Sequence, residues 1–278
     1  MKIKSPAKIN LCLHVTGKRP NGYHDIHSLM CGIALYDILT LDFQFNGITV
    51  TCLHPAVPED ETNIAYRAAK CFLDVLNRPG GVGINIEKHI PVAAGLGGGS
   101  SNAAGVLSAL NSHYGLPFSN QELASLALTL GADVPFFIYQ KPALATGVGE
   151  SLDFFKGIHS YPIVLIYPEI QVSTADVYNN LNLGLTNCEQ KLKSFPLSEG
   201  FSPTHHLCND LETVTISWFP EIADIKKALL DQGAIGSLMS GSGPSVFGIF
   251  SDSDQAKKAY EALIVNQSWS CFFTQLLV

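Results

Sequence analysis

No stretch of the 278-residue chain approaches the roughly 20 consecutive apolar residues that a membrane-spanning helix needs. The amino terminus carries Lys2 and Lys4 but no apolar run behind them, which is not the pattern of an export signal. A soluble cytoplasmic protein without a membrane partner is expected. Charge is scarce at 15% of residues, and positive charge scarcer still: 17 Lys and Arg against 24 Asp and Glu give a formal charge of −7. Non-specific polyanion binding rests on clustered Lys and Arg, so no nucleic-acid partner is expected. The seven cysteines, at 12, 31, 52, 71, 188, 208 and 271, form no C-x-x-C pair and are odd in number. They read as reduced thiols used as small buried apolar groups in a reducing compartment. Metal-ligand spacing is missing too. His24-x-x-His27 and His205-His206 have no further ligands beside them, and there is no H-E-x-x-H, so no metal site built from the chain alone is expected.

What is present in quantity is apolar side chain. At 46% hydrophobic residues and a mean hydropathy of +0.19, the chain has enough to bury a large core and too little charge for disorder. The length suggests two domains. Between Lys8 and Thr16 the residues Ile9, Leu11, Leu13 and Val15 alternate with Lys8, Asn10, Cys12 and His14. A period of two indicates a half-buried strand with Lys8 and Asn10 on its polar face, away from the core. Gly17 to Gly22 is a turn, and Ile33 to Val50 returns to strand-like alternation. Apolar residues at three- and four-residue spacing from Ile64 to Leu76 predict a helix from about Thr62 that Pro79-Gly80-Gly81 ends. Ser119 with Glu122 forms the capping box of another helix. Past Phe155 the chain predicts a strand over 162–167, a helix over 220–230, a strand-loop-strand around Gly241–Ser245 and a last helix over 252–265. Strands and helices interleave in both halves, which argues for an α+β fold divided near residue 155, into 1–155 and 156–278.

The most informative stretch is Pro91-Val92-Ala93-Ala94-Gly95-Leu96-Gly97-Gly98-Gly99-Ser100-Ser101, between a predicted strand at Gly81–Ile90 and a predicted helix at Ala103–His113. Glycines at such a junction let the backbone approach a ligand and aim several N–H groups at it from the positive end of the helix dipole. That is anion-binding chemistry; the bland alternative is a flexible strand-to-helix loop. No lysine follows the glycines, so it is not G-x-x-x-x-G-K-[ST], and Ser100 stands where G-x-G-x-x-G needs its last glycine.

The segment Pro91–Ser101 resembles the phosphate-binding motif P-x-x-x-G-L-G-S/G-S/G-S/A of the galactokinase, homoserine, mevalonate and phosphomevalonate kinase (GHMP kinase) family. Ser5-Pro6-Ala7-Lys8-Ile9-Asn10-Leu11 and Met239-Ser240-Gly241-Ser242-Gly243-Pro244-Ser245-Val246-Phe247 agree in order and position, so three motifs stand in register. The resemblance implies a two-domain α+β fold, an amino-terminal domain like ribosomal protein S5 domain 2 and a ferredoxin-like carboxy-terminal domain. It implies phosphoryl transfer from ATP, with Mg²⁺, to an alcohol of a small molecule, by a monomer or homodimer. Pro91 to Ser101 would hold the ATP phosphates, and Ser100 or Ser101 would reach Mg²⁺; Asp133 and Glu150 are the acidic candidates. Lys8 and Asp133 are the implied catalytic pair. Asp133 would orient or deprotonate the acceptor hydroxyl, while Lys8 holds it ionised and stabilises charge on the transferring group.

Asn21-Gly22-Tyr23-His24, Glu61-Thr62-Asn63 and Gly131-Ala132-Asp133-Val134-Pro135-Phe136-Phe137 resemble the branch of the family acting on a cytidine diphosphate-linked methylerythritol, at its 2-hydroxyl. Tyr23 would then stack on cytosine, His24 would bond the base edge and Asn10 would contact the acceptor hydroxyls. Met30 or Tyr178 would supply a second side chain for the base, since no aromatic follows between Asp25 and Met30. The alternatives are a mevalonate- or homoserine-type kinase, and a non-catalytic sugar or nucleotide sensor on the same fold.

Overall fold

The computed structural model describes residues 1–78, 80–186 and 200–278. Pro79, expected to help end the first helix, and Cys188 lie outside the described residues. In chain order the strands are β1 (Lys2–Lys18), β2 (His24–Asp42), β3 (Ile48–Thr51), β4 (Val82–Glu87), β5 (Ala143–Thr146), β6 (Ser151–Phe154), β7 (Pro162–Tyr167), β8 (Cys208–Asn209), β9 (Gly236–Met239), β10 (Val246–Ile249) and β11 (Ser270–Leu277). The α-helices are α1 (Ile64–Leu76), α2 (Gly98–His113), α3 (Asn120–Leu128), α4 (Val134–Tyr139), α5 (Thr174–Asn179), α6 (Pro203–His206), α7 (Glu212–Trp218), α8 (Glu221–Asp231) and α9 (Ser253–Leu263).

The chain forms two compact units that interleave in sequence. The first takes Met1–Ala7, Leu35–Val92 and Gly97–Gln140; the second takes Lys8–Ala34, Ala93–Leu96 and Lys141–Val278. In the first unit β4 pairs antiparallel with the end of β2, Leu39 opposite Ile86, and parallel with β3, Ile48 opposite Val82. Buried Leu39, Leu41, Ile84, Phe72, Val106, Leu107, Leu110, Phe136 and Phe137 form its apolar interior. Helix α1 starts where the Asn63 side chain accepts from the Ala65 N–H at 2.8 Å, and ends with Asn77 in the left-handed region. The capping box of α3 is present in full, Ser119 and Glu122 serving each other's backbone. The expected strand from Ile33 to Val50 is two, β2 and β3, with a turn at Gly47 between them (φ +82°).

In the second unit an antiparallel ladder runs β2, β11, β7, β10, β9: Ile33 opposite Leu276, Ile166 opposite Cys271, Val164 opposite Gly248, and Phe247 opposite Leu238. Short β8 lies parallel to β1, Cys12 opposite Cys208. The core joins Leu13 and Val15 of β1 with Val164, Ile166, Leu211, Ile222, Ile225, Leu229, Met239, Val246, Phe250 and Ala256. Cys31, Cys52, Cys71 and Cys271 carry free thiols, and burial pushes the Cys31 thiol up to about 12. Cys208 corrects the expectation of reduced thiols throughout, since it is disulfide-bonded. Bridging needs Cα atoms within about 7 Å in space, which spacing along the chain does not reveal.

Candidate active site

Helix α2 begins earlier than its periodicity indicates, inside the glycine run. Gly97 caps it in the left-handed region at φ +69°, and Gly98, Gly99, Ser100 and Ser101 already belong to its first turns. The first intrahelical bond runs from the Ser101 N–H to the Gly97 carbonyl at 2.9 Å. The N–H groups before it face the positive end of the dipole without a helical partner, which is what an anion needs. A β-carbon on Gly98 would sit 3.0 Å from Lys88 Nζ. The Lys88 side chain is 6% exposed and paired with Asp37, whose other oxygen accepts from the His89 and Ile90 N–H groups at 2.8 and 2.9 Å. Asp37 thus fixes the chain leading into Pro91. The Ser101 hydroxyl and Asn102 Oδ1 are buried with no hydrogen-bond partner among the described residues. Helix start and orphaned polar atoms together fit a polyphosphate with a hard cation.

Between Val92 and Gly97 the motif passes through the second unit as Ala93–Leu96. Ala93 is left-handed without being glycine (φ +53°), and the Leu96 carbonyl accepts from the Lys8 N–H at 2.9 Å. The Gly95 carbonyl accepts from the Ser240 hydroxyl at 3.0 Å, and the Ala94 carbonyl from the Ser245 N–H at 3.4 Å. The third motif therefore grips this part of the glycine loop. Asn209 anchors it in turn, its amide donating to the carbonyls of Met239 at 2.9 Å and Gly241 at 2.7 Å. No motif marked Asn209 or Asp37 in the sequence; an isolated Asn or Asp becomes meaningful only when its partners are known.

Alternation along β1 predicts one polar face clear of the core, and here the structure differs. The strand is buried from Ser5 to Val15, Lys8 included at 5% exposure. A polar face goes under only if its groups are hydrogen-bonded. Lys8 Nζ donates to Asn10 Oδ1 at 2.6 Å, and His14 Nδ1 lies 2.5 Å from Asp210 Oδ2, which also accepts from the Val15 N–H.

Tyr23 follows a turn closed by the Gly22 N–H on the Arg19 carbonyl, and the residue is 62% exposed. His24 is buried, its ring centroid 5.1 Å from that of Tyr178 at an interplanar angle of 31°. Burial, and secondly the charge of Lys18, push the His24 imidazole below its ordinary range, so the ring is neutral near pH 7 with one donor and one acceptor nitrogen. Of the two side chains expected beside it, Tyr178 is there, whereas Met30 is a core residue at 1% exposure. Asp133 stands at the N-cap position of α4 in the first unit, where the Val134 N–H bonds back to the Gly131 carbonyl at 3.1 Å. Glu150 closes a turn by accepting from the Val148 N–H at 2.6 Å. Lys8, Asn10, Tyr23, His24 and Ala93–Leu96 thus stand in the second unit, and Pro91, Val92, Gly97–Ser101 and Asp133 in the first.

Comparison with known proteins bears on the same segments. Residues 63–141 match the profile of the GHMP kinases N terminal domain, and residues 201–267 that of the GHMP kinases C terminal. The 4-diphosphocytidyl-2-C-methyl-D-erythritol kinase of Syntrophotalea carbinolica is 48% identical over 271 residues, 96% of each chain. The enzyme of the same name from Syntrophus aciditrophicus is 46% identical over 98% of each. A crystal structure of 4-(cytidine 5'-diphospho)-2C-methyl-D-erythritol kinase superposes with a TM-score of 0.83 at 36% identity, covering 99% of both chains. The homoserine kinase of Cytophaga hutchinsonii shares the fold, with a TM-score of 0.77 at 20% identity. With both domain profiles matched and relatives alike along nearly its whole length, the chain belongs to the GHMP kinase family, enzymes that use ATP to phosphorylate small molecules.

Proposed function

We infer that the chain transfers the γ-phosphoryl group of ATP to the 2-hydroxyl of 4-diphosphocytidyl-2-C-methyl-D-erythritol, a step of the non-mevalonate route to isoprenoid precursors. The observation that carries this is the 48% identity, over 96% of both chains, to a relative bearing that substrate in its name. ATP with Mg²⁺ supplies the phosphoryl group and neutralises charge on its oxygens. The protein's own task is to position two reactants and stabilise the oxygens between them. Pro91 to Ser101 take the phosphates, with the orphaned Ser101 hydroxyl available to the cation's ligand sphere. Asp133 orients the acceptor hydroxyl and takes its proton; Lys8 stabilises the oxygen that attacks. Asn10 bonds the acceptor's hydroxyls. Tyr23 stacks on cytosine, and a neutral His24, backed by Tyr178, bonds the base edge.

In this proposal the chain divides its work near residue 155 and acts in the cytoplasm as a monomer or homodimer, without nucleic acid. Among the described residues no helix is long and apolar enough to cross a membrane.

An ADP-release assay with Mg-ATP tests it, run on the cytidylated substrate beside mevalonate, homoserine and uncytidylated methylerythritol phosphate. Turnover confined to the cytidylated compound is expected, with Asp133→Asn lowering kcat by about 10²–10⁴-fold. Turnover on another acceptor overturns the substrate, and a near-normal Asp133→Asn enzyme overturns the base. ATP binding without turnover on any acceptor would make the chain a sensor.

A further inference from the structure

Ser28, on β2, is fully buried and makes two short polar contacts. Its hydroxyl oxygen accepts from Asn10 Nδ2 at 2.8 Å and donates to the Cys12 carbonyl at 2.7 Å. With the Lys8 contact these bonds form a chain in one sense: Lys8 ammonium to Asn10 Oδ1 at 2.6 Å, Asn10 amide to Ser28, Ser28 hydroxyl to backbone. Every proton in it is assigned by chemistry. An ammonium has only donors, so Oδ1 is the Asn10 atom that meets it and the NH₂ group faces the other way. The Cys12 carbonyl has only acceptors, so the Ser28 hydroxyl spends its single hydrogen there and offers a lone pair to the amide. Turning the Asn10 amide over would set NH₂ against ammonium at one end while leaving Oδ1 facing a hydroxyl whose hydrogen is already engaged at the other.

We propose that Ser28 is a positioning residue for phosphoryl transfer: it locks the Asn10 amide so that Oδ1 holds the Lys8 ammonium in place. This rests on the function proposed above and on Lys8 as its cationic group. Burial makes the lock firm, because an Asn10 NH₂ left without an acceptor there loses a hydrogen bond that no bulk water replaces. Strand pairing fixes Ser28 itself, through its register with Ala145 of β5.

The test is a set of variants assayed with the cytidylated substrate. Ser28→Ala should lower kcat by about tenfold or more, the scale of one buried hydrogen bond expressed in the transition state, with KM for ATP unchanged within about twofold. Ser28→Thr restores a hydroxyl and should bring kcat back to within about threefold of the parent, the added methyl setting the remainder. In an Asn10→Ala background, Ser28→Ala should have no further effect on kcat, because its route is gone. A Ser28→Ala enzyme within twofold of the parent overturns the proposal. So does a folded Ser28→Thr no better than Ser28→Ala, or an undiminished Ser28→Ala effect without Asn10. Should Ser28→Ala fail to fold, Ser28→Cys, with a thiol too weak to hold the amide, takes its place in each comparison. A parent enzyme inactive on the cytidylated acceptor defeats the function and not the lock, which is then read without substrate. The Asn10 side-chain amide protons should exchange with solvent at least about tenfold faster in the variant than in the parent, and equal rates overturn it.

Discussion

Gly95 has no room for a side chain. A β-carbon there would lie 2.1 Å from the Ser240 carbonyl oxygen, and the backbone stands at φ +75°, where an L-residue is strained. Both facts act on the same stretch of glycine loop, whose carbonyl at this residue is held by the Ser240 hydroxyl. Gly95→Ala should therefore cost at least about 1–2 kcal/mol for the left-handed backbone alone, and push the loop away from the third motif. The expected outcome is a lowered melting temperature together with a KM for ATP raised several-fold; an unchanged KM would mean that the grip of Ser240 does not shape the phosphate site. His24 allows a second test at this scale. Its imidazole is lowered by burial and then by Lys18, so the folded protein binds fewer protons than the unfolded chain just below the ordinary value of about 6.5. Stability from this residue is complete above that pH and is lost as pH falls towards the depressed value. The same protonation removes the acceptor nitrogen from the ring, so kcat/KM for the cytidylated substrate should fall on the acid side through a limb that His24→Gln abolishes. A limb unchanged in the variant assigns it to another group.

At the scale of elements, what the sequence discloses depends on whether the deciding interaction is local. The capping box of α3 is legible because Ser119 and Glu122 make it between themselves. Helix α1 and the strands β7 and β10 follow from turn chemistry and apolar runs in the same way. The polar face of β1 was legible as a pattern but not as a buried one, since Lys8, Asn10 and His14 are accommodated by Ser28 and Asp210, and only the latter two's positions in space reveal it. Glycines hide the start of α2. Their low helix propensity argues for a loop, while the left-handed cap at Gly97 and packing let the helix begin at Gly98. Strand β11 is not legible in the sequence because Ser270–Leu277 alternates weakly, and its identity as a strand comes from the partners on either side, β7 and β2. Of the candidate site, the motifs carried the loop, Lys8 and Tyr23-His24. Asn209, Asp37 and Ser28, which hold those parts in place, have no local signature.

For the whole molecule the decisive fact is that β1 and β2 each begin in one compact unit and end in the other. Leu13 and Val15, near the amino terminus, complete a core whose other buried members run from Val164 onward. No change of composition marks such a contact, because it joins segments 150 residues and more apart and arises only when the chain closes that loop. The loop's entropy cost grows slowly with length, so the pairing is affordable at this distance as long as apolar burial compensates. The carboxy-terminal core should therefore be sensitive to a substitution in an amino-terminal strand. Leu13 is 3% exposed within it, and Leu13→Ala leaves a cavity among Val164, Leu211 and their neighbours. A cost of about 2–5 kcal/mol follows, the range for truncating a buried leucine. It should be measured by urea denaturation, with a melting temperature lower by roughly 5–15 °C. Amide hydrogen exchange locates the effect: Ile166 and Val246, on paired strands of that ladder, should lose protection in the variant. A cost below about 1 kcal/mol would mean that the site collapses around the smaller side chain, and that β1 is joined to this core by its hydrogen bonds and not by its apolar face.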